Sequence, residues 1–228
     1  MKYLTGTSAL ALAAVFCTGT ASAADVTFLD LRFGGGMLSN EFKGSSSTTV
    51  TNTNTQVATN TNSGDDSRNS DGNYRGQVQL VYGNLGPVGG LILGAAVAAN
   101  HARFDNGNYD STVTTPVLDV MIGYGIAVTT SWHFELTPFA GYGRAFYSVT
   151  DSNSSTTSKD STDYVEYGGR IGTYYTFPGG LQLGVEVPYL VGRYNPEYNH
   201  DSGTDSYNVS DERRNQGFGA LASLGVRF

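Results

Sequence analysis

Cysteine is missing from the chain beyond residue 17. Disulfide frameworks, thiolate metal sites and cysteine nucleophiles are therefore excluded from everything that follows Cys17. Positive charge is also scarce: Lys+Arg total 13 against 20 Asp+Glu, for a net charge of −7, and only Lys2, Lys43 and Lys159 are lysines. A polyanionic partner such as nucleic acid is not served by that balance. Long hydrophobic runs are lacking too. Beyond the amino terminus the longest, Leu91 to Ala99, is about half of the roughly 18 apolar residues that a membrane-crossing helix needs. The mean hydropathy of −0.23 resembles that of a water-soluble chain, but it does not bear on a strand that alternates apolar and polar positions.

What is present begins with a leader. Met1-Lys2 is a short positive region, Leu4 to Phe16 a mostly apolar one, and Ala21-Ser22-Ala23 an A-x-A site, the pattern of a secretory signal cleaved before Ala24. Residues 1–23 are thus expected to be removed. The mature form carries 12 − 20 = −8 charges, Lys2 being lost. Phe16 stands before Cys17 where a lipoprotein signal needs a small residue.

Glycine (30), tyrosine (15) and phenylalanine (11) are abundant against a single tryptophan, a composition that suits strands with aromatic ends around a tight interior. The strands show themselves by period-2 alternation. Leu118, Val120, Ile122, Tyr124, Ile126 and Val128 alternate with Val117, Asp119, Met121, Gly123, Gly125 and Ala127. Leu181, Leu183, Val185, Val187, Tyr189 and Val191 alternate with Gln182, Gly184, Glu186 and Gly192. The same split separates Tyr74, Gly76, Val78, Leu80 and Tyr82 from Arg75, Gln77 and Gln79, and Val165, Tyr167, Gly169, Ile171 and Tyr175 from Glu166, Gly168 and Arg170. Leu91 to Phe104 is Ala-rich and alternates weakly.

Short turns (85–89, 129–131 and 178–180) and long polar segments (near 41–73, 105–114, 151–163 and 198–213) follow one another in turn, which predicts eight strands with the long segments at one end. Tyr82, Trp132, Phe134, Phe177 and Phe228 fall near the turns; Phe42, Tyr74, Phe104, Phe146, Tyr164 and Tyr194 fall near the loops. Both groups are expected in aromatic girdles. Arg144 and Arg193 take outward parity close to the loops.

The last strand places Phe218, Ala220, Ala222, Leu224, Val226 and Phe228 on one face and Gly217, Gly219, Leu221, Ser223, Gly225 and Arg227 on the other. A strand ending in phenylalanine resembles the carboxy-terminal signature of bacterial outer-membrane β-barrels, in which Leu224, Val226 and Phe228 would form the signal read by the barrel assembly machinery. With the strand count, the whole chain resembles the small eight-stranded outer-membrane proteins of the OmpA, OmpX, OmpW and opacity type. The resemblance implies an all-β, transmembrane, antiparallel up-and-down barrel of residues 24–228 in the outer membrane of a Gram-negative cell, in contact with outer-membrane lipid and lipopolysaccharide. No peptidoglycan-binding domain is expected after the last strand. An OmpW-like protein would have an apolar lumen, and the lumen inferred here is charged.

By parity, Asp30, Arg32, Arg75, Asp119, Glu135, Glu166, Arg170, Glu186 and Arg227 point inward. An eight-stranded barrel has room inside for side chains alone, so these charges are expected to pair and plug it. The alternative is a narrow path through Gly123, Gly125, Gly168 and Gly172. An enzyme is the third reading. Of the three histidines, His133 has Glu135 two residues away, His101 has Arg103 rather than Ser at that distance, and His200 is in a loop. A lipid A deacylase places His and Ser together near the outer leaflet, and an omptin-like protease has ten strands. No catalytic residue, cofactor or metal is assigned. The acidic groups Asp65, Asp66 and Asp71, and Asp201, Asp205, Asp211 and Glu212, read as solvated surface, since Ser67 to Gly72 fits a Ca²⁺ loop poorly. The Ser/Thr/Asn-rich segment from Ser45 to Asn62 is either unfolded or a Thr/Asn ribbon that extends the strands. The function expected is non-enzymatic: a membrane-anchored surface scaffold for envelope integrity or adhesion, with a narrow pore or passive transporter as the alternative.

Overall fold

Strands with one apolar and one polar face satisfy their backbone groups in a membrane only by closing on themselves, and this chain closes. The computed structural model describes residues 26–52, 58–62, 66–70, 72–86, 88–105, 109–151, 157–194, 197–202 and 205–228; the leader at 1–23 lies outside them. The strands are β1 (Val26–Asn52), β2 (Ala58–Asn62), β3 (Asp66–Asn69), β4 (Gly72–Gly86), β5 (Gly89–Asp105), β6 (Tyr109–Ala127), β7 (Trp132–Asp151), β8 (Thr157–Thr176), β9 (Leu181–Tyr194), β10 (Glu197–Ser202) and β11 (Asp205–Arg227). Eight of them, β1, β4, β5, β6, β7, β8, β9 and β11, pair antiparallel in chain order, and β11 pairs with β1 to complete the barrel. The closing seam is long: it runs from Asp30 opposite Arg227 to Asn52 opposite Asp205.

The short turns have local causes. Gly89, Gly179 and Gly180 take φ values of 105°, 95° and 89°, which side chains rarely tolerate. At the middle turn Thr129 Oγ1 accepts bonds from the backbone N–H of Ser131 (3.2 Å) and Trp132 (3.0 Å).

At the other end the strands run on through much of the sequence read as loop. Residues 109–114 belong to β6 and 157–163 to β8, while β1 continues to Asn52. There β2 pairs with residues 47–51 of β1 and β10 with residues 205–210 of β11. The order β10-β11-β1-β2 makes a four-stranded sheet standing on the seam. Alternating Thr and Asn favours a ribbon but offers no hydrophobic face, which is why its boundaries escaped a reading based on hydrophobic alternation.

β5 alternates in burial despite its sequence: Ile92, Ala96, Ala98 and Ala102 are buried and Leu91, Leu93 and Val97 exposed. Alanine fills its inner face because the interior beside it is taken by larger side chains. Val191, of outward parity, is only 3% exposed; Tyr167 and Gln216 stand beside it in register on the neighbouring strands.

Candidate functional site

Side chains of all eight barrel strands meet in the lumen and bond in three layers. The layer nearest the turns centres on Arg32, which is fully buried. It donates from Nε to Gln182 Oε1 (2.9 Å), from Nη1 to Glu135 Oε2 (2.9 Å), and from Nη2 to Asp30 Oδ2 (2.8 Å) and Glu135 Oε1 (2.7 Å). Its guanidinium lies 3.8 Å from the Tyr174 ring centre. Arg227 donates to both oxygens of Asp30, at 2.9 and 3.0 Å, and covers Phe28 at 4.0 Å. His133 Nε2 lies 3.0 Å from Glu135, with its ring stacked on Tyr174.

In the middle layer Arg170 donates to Glu186 Oε2 (3.1 Å), Thr137 Oγ1 (3.2 Å) and Met121 Sδ (3.0 Å). Glu186 also accepts from Gln77 (2.8 Å) and Gln79 (3.1 Å). The loop-side layer centres on Arg75, which donates to Asp119, to Glu166 Oε1 (2.7 Å) and to Asn100 Oδ1 (2.9 Å). Tyr164 and Asn100 donate to the other oxygen of Glu166, both at 2.9 Å. Gln77 bridges the two upper layers, accepting from Arg75 Nε at 3.2 Å.

The structure thus brings Asp30, Arg32, Glu135 and Arg227 into one cluster, Arg170 and Glu186 into a second, and Arg75, Asp119 and Glu166 into a third. The first two are charge-balanced when His133 is neutral. The third carries one carboxylate more than guanidinium, and Asp119 Oδ1 has no hydrogen-bond partner. Sequence reasoning placed Gln77, Gln79 and Gln182 on the charged face and Tyr164 in the outer girdle, but passed over Asn100, Thr137 and Tyr174 among the neutral groups that meet the charges. Their shared parity with the charges is the signal that locates them.

Rings occupy the room that glycines leave. A Cβ on Gly172 would stand 2.7 Å from the Tyr174 ring, and one on Gly125 would meet Leu85 and Ile92 side chains. The spaces at Gly123 and Gly168 are likewise met by Thr137 and Phe139. At Gly123 and Gly168 the nearest atom is a backbone carbonyl of the neighbouring strand, Leu136 O or Tyr189 O, so each of the four glycines is closely met by atoms of the barrel. Near the loops, Tyr164 and Tyr194 are buried inside, 4.6 Å apart, and Phe42 packs edge-on against Phe104 at 4.8 Å. These four were expected in the outer girdle and are instead an inner aromatic seal. Asn40, Asn73 and Asn215 lie buried with amide atoms that find no hydrogen-bond partner among the described residues.

The histidines do not form a hydrolytic triad among the described residues. His133 is 2% exposed within the turn-side cluster. His101 faces outward, its Nδ1 2.9 Å from Thr114 Oγ1 on β6, a partner that sequence reading missed because it lies on the neighbouring strand. The side chains of His200 and of the acidic groups at 65–71 and 201–212 lie outside the described residues.

The exterior is the inverse of the lumen. Phe33, Met37, Leu80, Val97, Leu118, Val120, Ile122, Leu136, Ile171, Val185, Phe218 and Leu224 are all between 50% and 63% exposed, and they come from every strand of the barrel. From Leu181 to Val191 the outward residues of β9 are all apolar or aromatic; at about 3.3 Å per residue and a 40° tilt that is about 25 Å of height, the thickness of a lipid-facing band. Tyr74, Tyr142 and Phe146 border it on the loop side, and Tyr82, Tyr175, Phe177 and Phe228 on the turn side. A polar, salt-bridged inside and an apolar outside admit only lipid as the surrounding solvent. The molecule is an eight-stranded transmembrane β-barrel.

No family model and no curated protein sequence matches this barrel. Solved structures do. Ail, the attachment invasion locus protein of Yersinia pestis, crystallised with the heparin analogue sucrose octasulfate, is 14% identical; the alignment covers 85% of this chain and 99% of that one at a TM-score of 0.39. The outer membrane protease OmpT of Escherichia coli is 14% identical, with 92% and 98% covered and a TM-score of 0.41. The outer membrane protein OprG of Pseudomonas aeruginosa is 15% identical, with 87% and 95% covered and a TM-score of 0.36.

Proposed function

We propose that this barrel is a non-enzymatic anchor in the outer membrane, which holds a protruding β-sheet and its connecting loops at the cell surface for adhesion, envelope integrity or another surface contact. The observation that carries this reading is the filled lumen, where four arginines and five carboxylates spend their hydrogen bonds on one another and on neutral amides. A solute path would need that network to separate, at the cost of charges left unpaired in a low-dielectric interior. The sheet β10-β11-β1-β2 ends in two edge strands, and free edges of this kind pair with extended segments of other chains. Leader removal before Ala24, presentation of Leu224, Val226 and Phe228 to the assembly machinery, and contact with lipopolysaccharide belong to the same reading.

The test is to refold residues 24–228 in detergent, follow heat-dependent gel mobility, and record conductance in a planar bilayer. A compact, heat-sensitive form without discrete steps is the expected result. Steps of stable amplitude from that form would replace the anchor by a narrow pore, and product from lipid A incubated with it would replace the anchor by an enzyme.

A further inference from the structure

Cations that face outward near the loops mostly have a carboxylate beside them. Arg103 donates to both oxygens of Asp110 (3.1 and 2.8 Å), and Arg144 stands opposite Asp163 in register. One row differs. Lys43 of β1 is opposite Arg214 of β11, and Arg214 is in turn opposite Arg193 of β9. All three have outward parity, so three positive side chains lie side by side on adjacent strands. Like charges directly opposite one another destabilise a sheet unless something neutralises them. The described residues supply Glu41, one rung nearer the membrane and 3.3 Å from Lys43, and Asp163, diagonal to Arg193 on β8 but directly opposite Arg144; Glu212 follows one rung further out on β11. Arg214 Nε is enclosed without a hydrogen-bond partner.

The row sits at a definite depth. Four residues below Arg193 and Arg214 on their own strands, Tyr189 and Phe218 pair on the outer surface with ring centres 4.8 Å apart. At about 3.3 Å per residue and a 40° tilt, the cations stand about 10 Å above these rings, where hydrocarbon has given way to headgroups. Below the pair β9, β11 and the neighbouring β1 expose Val185, Val187, Leu224 and Met37, a surface for acyl chains. An anion tethered to acyl chains therefore meets both halves of the patch at once, which a soluble anion does not.

We infer that Lys43, Arg193 and Arg214 form a binding site for the phosphate of an outer-leaflet glycolipid, whose acyl chains lie over the Tyr189–Phe218 pair. Guanidinium groups suit this ligand through paired, charge-assisted hydrogen bonds to phosphate oxygens. The site rests on the membrane-barrel reading but not on the plugged lumen.

The test uses the mature chain in nanodiscs of neutral phospholipid. It is titrated with bisphosphorylated lipid A, with lipid A stripped of phosphate, and with a water-soluble sulfated sugar, and bound lipid is counted by native mass spectrometry. The R193Q/R214Q variant is expected to bind bisphosphorylated lipid A roughly thirtyfold more weakly than the parent. The R193K/R214K variant should recover most of that loss, and R103Q should bind as the parent does. Heat-dependent mobility is read on every sample, so a failed barrel is distinguished from a failed site. Equal binding by parent and R193Q/R214Q in a folded barrel, or equal binding of lipid A with and without phosphate, would overturn the site. Binding of the sulfated sugar as tight as that of lipid A would overturn the lipid as its source.

Discussion

Arg32 shows how a buried charge network distributes its stability. The pairs themselves stabilise the barrel little, because both partners gave up water to enter the lumen. Removing one partner is different, since it leaves the other buried and unpaired. Arg32→Met would strip Glu135 of its guanidinium and leave Glu135 Oε2 without a donor, while Asp30 keeps Arg227 and Gln182; the expected loss is about 3–5 kcal/mol, seen as a lower urea midpoint for unfolding from lipid vesicles. Arg103→Ala breaks an ion pair whose side chains are 55% and 40% exposed, and its expected cost is under about 1 kcal/mol. Similar midpoints for the two variants would show that the lumen is wet enough to solvate single charges. Gly172 tests packing in the same region. A methyl there meets the Tyr174 ring at 2.7 Å, so Gly172→Ala is expected to cost about 1–3 kcal/mol. Adding Tyr174→Ala should remove that steric penalty, so the double variant is expected to be less destabilised than the sum of the single ones. Strict additivity would mean that the ring and the glycine do not share the space.

The carboxy-terminal strand makes its prediction at the level of the element. Phe228 is 74% exposed and is tied to the barrel by a bond from its N–H to Leu29 O at 2.9 Å. Phe228→Ala keeps that bond and removes an exposed ring, so the folded barrel should change in stability by less than about 1 kcal/mol. If the ring serves recognition during assembly, its loss slows appearance of the heat-sensitive form in cells while refolding in detergent proceeds at the parent rate. Equal slowing in both settings would assign the ring to folding alone. Strands were also the level at which the sequence was most legible. Asp119, Glu166 and Glu186 each interrupt an apolar alternation that leaves them one direction to face, so architecture and lumenal charges could both be read. Phe42, Phe104, Tyr164 and Tyr194 were read as girdle although they share inward parity with the lumenal charges, because aromatic residues at strand ends satisfy a girdle and an inner seal equally well by residue type. The partners of each charge were not legible, and the sheet beyond the membrane was legible only as one of two readings of the segment from Ser45 to Asn62. Barrel register brings together residues as distant in sequence as Asp30 and Arg227, and Thr/Asn strands carry no hydrophobic marker.

For the whole molecule the consequence of three layers is redundancy. Tyr174 with Arg32, Arg170 with Glu186, and Tyr164 with Arg75 obstruct the lumen at successive heights, and among the described residues only Gln77 is bonded into more than one layer. Opening a single layer therefore leaves the remaining two in place. Tyr174→Ala, Arg170→Ala and Tyr164→Ala are each expected to weaken the barrel without giving stable conductance in a planar bilayer. Discrete steps should appear only when all three are combined, because water must span the lumen before an ion can cross it. Stable steps from one single variant would locate the seal in that layer and reduce the other two to packing.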